Sequence, residues 1–208
     1  MRFSCGHGGN KGKEMEPEEK REAEAQSKLS TLAFISLNEN AKDTFRGGIL
    51  VTDVRGKPIE FRCTSAIQPN AVQKTLYGST LWPYMAVELM GLPLIRSVVE
   101  RPHVIIIQQP EFIDVRSAVE QPVLLLSRQG STLAVAEDGN QAPTELINSP
   151  SGKFEPIVVT SHEGYGSDLE IVRDLRERCT AMDLMEPFER IRKAIEFVHQ
   201  KESKTPKP

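Results

Sequence analysis

The stretch from Arg46 to Ile67, RGGILVTDVRGKPIEFRCTSAI, constrains the fold of this chain more than any other. Gly47-Gly48 opens a first strand carried by Ile49, Leu50, Val51 and Val54, and Asp53 to Pro58 supplies a reversal. Ile59, Phe61 and Cys63 then alternate with Glu60, Arg62 and Thr64. Alternation at period two puts one face of a strand in a core and the other towards water or a partner, so the stretch reads as a β-hairpin. Gly56 suits the positive φ of the turn, and Pro58, which has no N–H to donate, suits the start of a strand.

The neighbouring segments extend this sheet. Leu29 to Leu37 is a strand ended by Asn38-Glu39-Asn40, so three antiparallel strands in order form a meander over about residues 29–65. After Pro69, Asn70 is placed to cap a helix and Gln73 to complete a capping box. Helical pieces follow over about 70–100, with Leu81, Met85 and Leu89 on one face and Gly91 as a stop. His103 to Ile107 is a continuous branched run, the pattern of a strand covered on both faces and central in its sheet. A second hairpin is expected over 123–136, turning at Arg128-Gln129-Gly130. Residues 137–152 read as an exposed loop, and 156–160 as a last strand. A capping box at Ser167 to Glu170 starts a C-terminal αα-hairpin over 167–200, with Leu169, Val172 and Leu175 on the first helix and Phe188, Ile191, Ile195 and Val198 on the second. The expected fold class is α+β, a mostly antiparallel sheet packed by helices.

Domain organisation follows from composition. Residues 1–27 are glycine-rich, then charged, and read as a disordered tail; 28–200 form a single α+β domain; 201–208 are a disordered end. The formal net charge of -3 gives no indication of nucleic acid as a partner. Cys5, Cys63 and Cys179 are odd in number and widely spaced, which argues for a reducing compartment and a cytoplasmic location. Cys5 and His7 are ligand types, but one such pair without a second is not a zinc site. No apolar run has the length of a membrane span, so no membrane association is expected.

Three groups of residues are candidates for function. Asp53 ends one strand, and Glu60-Phe61-Arg62 puts an acid and a base on one face of the next. This arrangement resembles a degenerate PD-(D/E)xK nuclease motif over Thr52 to Arg62, with Thr52 in place of proline and Arg62 in place of lysine. The resemblance implies a metal-dependent nuclease using Asp53, Glu60 and Arg62; alternating charges on a solvated strand face explain the same residues. Tyr77, Trp82 and Tyr84 form an aromatic cluster suited either to packing helices on the sheet or to a ligand or partner surface. In His162-Glu163-Gly164-Tyr165-Gly166-Ser167, the amides of Gly164, Gly166 and Ser167 are placed to meet an anion, and His162 with Glu163 is a candidate acid/base pair. Asp114, Glu111 and His103 are further polar candidates.

No complete catalytic, metal or cofactor motif emerges, so the sequence implies no cofactor and no metal. The reading it favours is a non-catalytic intracellular binding or accessory domain, a protein-interaction component whose partner is another protein or a second copy of itself. The alternatives are a small-ligand sensor, PAS-like by fold analogy, and the degenerate nuclease.

Overall fold

The computed structural model describes residues 29–41, 43–130, 142–149, 152–178 and 182–204. The expected tail over 1–27, with Cys5 and His7, lies outside the described residues. So do residues 131–136, which were to form the return strand of the second hairpin.

Seven strands form one sheet: β1 (Thr31–Ala41), β2 (Thr44–Asp53), β3 (Pro58–Cys63), β4 (Val104–Ile107), β5 (Val123–Arg128), β6 (Thr144–Ile147) and β7 (Ile157–Ser161). Their order is β3-β2-β1-β4-β5-β7-β6. The meander is present, with β1 antiparallel to β2 and β2 antiparallel to β3. The sheet is mixed, however, because β4 is parallel to β1 and β5 is parallel to β4. The partner of β5 on its other side is β7, antiparallel, with β6 outermost. The stretch expected to be an exposed loop therefore supplies an edge strand, where polar and turn-forming residues are tolerated.

Helices cover both faces. On one lie α1 (Ala71–Tyr77), α2 (Leu81–Tyr84), the π-helical Met85–Gly91, α3 (Leu92–Ser97) and the 3-10 segment Pro110–Ala118. On the other lie α4 (Ile171–Arg178) and α5 (Glu186–Lys204), the expected C-terminal helical hairpin. The fold class is α+β as expected. The side chains of β1 divide accordingly: Leu32 and Phe34 join Ile191, Ile195 and Phe188, whereas Ala33 and Ile35 join Met85, Met90 and Phe112. Two-sided burial explains why β4 is an unbroken apolar run.

Gly47 and Gly48 show the same layering. They lie inside β2 rather than at its start, and a Cβ on Gly47 would sit 2.9 Å from Met90 Cβ while one on Gly48 would sit 2.7 Å from Ile191 Cγ2. Successive residues of a strand face opposite ways, so two consecutive glycines let a helix approach on each side. Gly91, expected to stop a helix, does not: the chain stays helical to Ser97. Its missing Cβ leaves room for Val115 Cγ2, 2.8 Å from where that Cβ would stand. The turn in the π-helical segment is wide, with the Leu92 N–H reaching back to Val87 C=O.

Asn70 and Gln73 bond reciprocally as a capping box. The helical segment expected to start at Ser167 begins instead at Glu163, with His162 as its cap. Helix α5 continues to Lys204, into the stretch expected to be a disordered end. Among the described residues no helix is long and apolar enough to cross a membrane.

Candidate functional site

In open sheets with parallel strands, ligand crevices form beyond the carboxyl ends of those strands, where the chain switches direction across the sheet. Here that place lies between β1 and β4. It is closed by Gln109, just past the end of β4: its Oε1 accepts from Leu37 N–H at 3.3 Å and its Nε2 donates to Leu37 C=O at 2.8 Å. The same Nε2 lies 3.4 Å from Ser36 Oγ. One side-chain amide thus takes both backbone bonds that a further strand residue would take, and the groups it brings together are neutral. Sequence reasoning did not single out Ser36 or Gln109; the available signal was the polar pair Gln108-Gln109 directly after an all-branched strand.

The residues of the nuclease-like motif lie at the opposite end of β2 and on edge strand β3. Asp53 Oδ1 accepts from Arg55 N–H at 2.9 Å and from Lys57 N–H at 2.8 Å, holding the turn at Gly56, whose φ is +82°. Glu60 Oε2 accepts from Val99 N–H at 2.9 Å and Glu100 N–H at 3.2 Å, and Oε1 pairs with Arg62 at 2.7 Å. The Glu100 amide, foremost among these partners, holds the Glu60 carboxyl below its ordinary range. The structure thus gives both carboxylates backbone amides to hold. Among the described residues no group of three or more His, Cys, Asp or Glu is placed to hold a metal ion.

At the third candidate, His162 Nδ1 accepts from Gly164 N–H at 3.0 Å, so that amide is engaged within the loop. This leaves the ring proton on Nε2, 3.5 Å from Asp114 Oδ1. His162 therefore pairs with Asp114 rather than with Glu163, and His103 bonds instead to Thr31 Oγ1 at 2.8 Å. Behind this pair is a group the sequence did not signal. Arg116 forks onto Asp168 at 2.6 and 3.0 Å, its guanidinium lies 4.0 Å from the Tyr165 ring centroid, and Asp168 also accepts from Val123 N–H at 3.1 Å. The Asp168 carboxylate raises the Arg116 pKa further, fixing its charge.

The aromatic cluster is partly exposed. Tyr77 and Tyr84 stack with centroids 4.8 Å apart, and Trp82 meets Phe45 edge-on at 4.7 Å. A hydrogen bond with Tyr77 holds the Tyr84 phenol above its ordinary pKa. Tyr77 is 39% and Trp82 42% exposed, and both adjoin a helix that buries none of its residues, α1, whose Val72 and Leu76 are 64% and 77% exposed. Trp82 thus packs its helix on the sheet through Phe45, while Tyr77 and Tyr84 stack on each other. A cavity of about 30 Å³, the space of roughly one water, lies elsewhere, among Ile147, Ile157, Leu175 and Leu184.

No family model matches the chain, and no curated protein matches it. Solved structures do resemble it. Endonuclease V of Ciona intestinalis, in complex with a 24mer DNA containing an inosine followed by a ribo-adenosine, is 10% identical with a TM-score of 0.49, covering 88% of this chain and 99% of that one. A variant of the same enzyme with a 23mer DNA is 11% identical with a TM-score of 0.47, covering 90% and 99%. The human endonuclease V is 9% identical with a TM-score of 0.46, covering 85% and 87%. These relatives in structure are nucleases, two of them holding DNA, and not protein-interaction components. The expectation from the sequence was instead a non-catalytic accessory domain with a protein or self partner and no nucleic acid, and these findings stand against it. The dismissal of nucleic acid rested on net charge, which is a sum over the chain and is blind to a local stacking surface.

Proposed function

We propose that this protein binds single-stranded nucleic acid, with bases stacked on Tyr77, Tyr84 and Trp82. The observation that carries this reading is the exposure of Tyr77, which stacks on Tyr84, and of Trp82, beside a helix that buries none of its residues. Aromatic faces accept any base, each stack contributing about 1–3 kcal/mol, so a surface of this kind needs no strongly basic chain. The cytoplasmic location suggested by the three cysteines belongs to the same reading. So does the nuclease assignment of Asp53, Glu60 and Arg62, which is supported by magnesium-dependent cleavage only if it disappears in a folded Asp53→Ala/Glu60→Ala variant.

Trp82 is the only tryptophan of the chain, so intrinsic fluorescence reports on this surface directly. Titration with a thymidine oligonucleotide is expected to quench it, and Tyr77→Ala combined with Trp82→Phe to weaken binding about tenfold or more, followed by a labelled oligonucleotide. Unchanged affinity in that variant overturns the proposal.

A further inference from the structure

Arg46 is buried on the α5 side of β2, its side chain only 4% exposed. A guanidinium is strongly disfavoured in such a place unless its donors are satisfied. Its Nη1 donates to Thr64 C=O at 3.3 Å, and the two Nη atoms fork onto the carboxylate of Glu202. Its Nε has no hydrogen-bond partner among the described residues. Across the sheet Arg46 pairs with Asn38, a neutral residue whose amide donates to Arg192 C=O on α5.

Glu202 is the opposite kind of partner. It is 58% exposed and stands in the last turn of α5, where the helix dipole disfavours a negative charge. A mobile, exposed acid thus neutralises a fixed, buried base. Helix ends open at lower free energy than the core, so this contact is the more easily released side of the pair. The neighbouring residue of β2, Phe45, carries the ring that Trp82 meets, but it faces the opposite side of the sheet, so the aromatic surface and Arg46 are separated by the sheet near one end of β2.

We infer that Arg46 is a phosphate-binding residue held closed by Glu202, whose carboxylate stands in for the phosphate until a nucleic acid displaces the end of α5. The choice of nucleic acid as the source of that phosphate rests on the function proposed above; the anion chemistry at Arg46 does not. Arginine suits this role because its planar fork matches a phosphate as it matches a carboxylate. The device makes the contact autoinhibitory.

The test measures binding of a thymidine oligonucleotide and, separately, of inorganic pyrophosphate. Glu202→Gln frees the fork and is expected to tighten oligonucleotide binding about tenfold, the order of one charge-assisted hydrogen bond. Glu196→Gln makes the same change in net charge on α5 but removes one carboxylate partner of Arg192, which Glu189 still holds, and is expected to leave affinity within about twofold. Adding Arg46→Met to Glu202→Gln should abolish the gain; methionine fills the site without a charge, and the exposed Glu202 needs no partner. Equal gains for the Glu202 and Glu196 variants overturn the inference, as does a gain that survives Arg46→Met. If no variant binds the oligonucleotide but Glu202→Gln binds pyrophosphate through Arg46, the nucleic-acid reading fails and the anion site stands. Binding of neither probe overturns the anion site.

Discussion

Arg116 and Asp168, fifty-two residues apart in sequence, meet in a two-point fork at 2.6 and 3.0 Å that ties the Pro110–Ala118 segment to the Glu163–Glu170 segment. Asp168 is 4% exposed and also holds the first amide of β5, so removing it strands a part-buried guanidinium and a backbone donor together. Asp168→Ala is expected to cost about 3–5 kcal/mol in denaturant unfolding. A loss below about 1 kcal/mol would mean that water replaces the carboxylate at the Arg116 fork.

Glu60 gives a pH dependence with a definite sign. Its folded-state pKa lies below the ordinary carboxylate value because the Glu100 and Val99 amides and Arg62 favour the charged form. The stability it contributes is therefore complete above the unfolded carboxylate pKa and is lost as pH falls through the folded value. Thermal unfolding followed from neutral pH into the acid range should show a smaller loss for Glu60→Gln than for the wild type. Parallel curves for the two proteins would remove Glu60 as the cause.

The terminal helix belongs to the core of this chain. Ile191 and Ile195 are fully buried, and Phe188 meets Phe34 edge-on at 5.6 Å. Ile195→Ala is expected to cost about 2–5 kcal/mol without changing the sedimentation of the folded protein. Gly48→Ala should destabilise by about 1–3 kcal/mol through the opposite effect, overpacking against the same two isoleucines. An Ile195 variant of native stability that sediments differently would place that face in an interface instead.

Trp82 is expected to separate stability from binding. Its contact with Phe45 supplies about 0.5–1.5 kcal/mol, so Trp82→Ala should remain folded with a small loss. Leu76→Ala, at a position 77% exposed, should leave unfolding unchanged. A cooperative transition lost on either substitution would show that this surface is covered by something that stabilises the fold.

The local elements are legible in the sequence. Alternation between Ile59 and Thr64, the turn at Gly56, the Asn70–Gln73 capping box and the apolar stripe of Ile191 and Ile195 are all encoded within a few residues of one another, where period and turn chemistry are legible. Which strands pair over long separations is set by the packing of the whole chain. An unbroken apolar run such as Val104–Ile107 announces a buried strand, yet the pattern is the same for parallel and antiparallel neighbours, so the parallel β1-β4-β5 core was not readable. The same holds for the sites. Tyr77, Trp82 and Tyr84 were visible as a cluster because they are close in sequence. The pairs Asp114 with His162, Arg116 with Asp168 and Arg46 with Glu202 join residues whose sequence separations carry no signal. Their charges are written in the chain, but the partner of each is set by how the sheet orders its strands and where the helices land upon it.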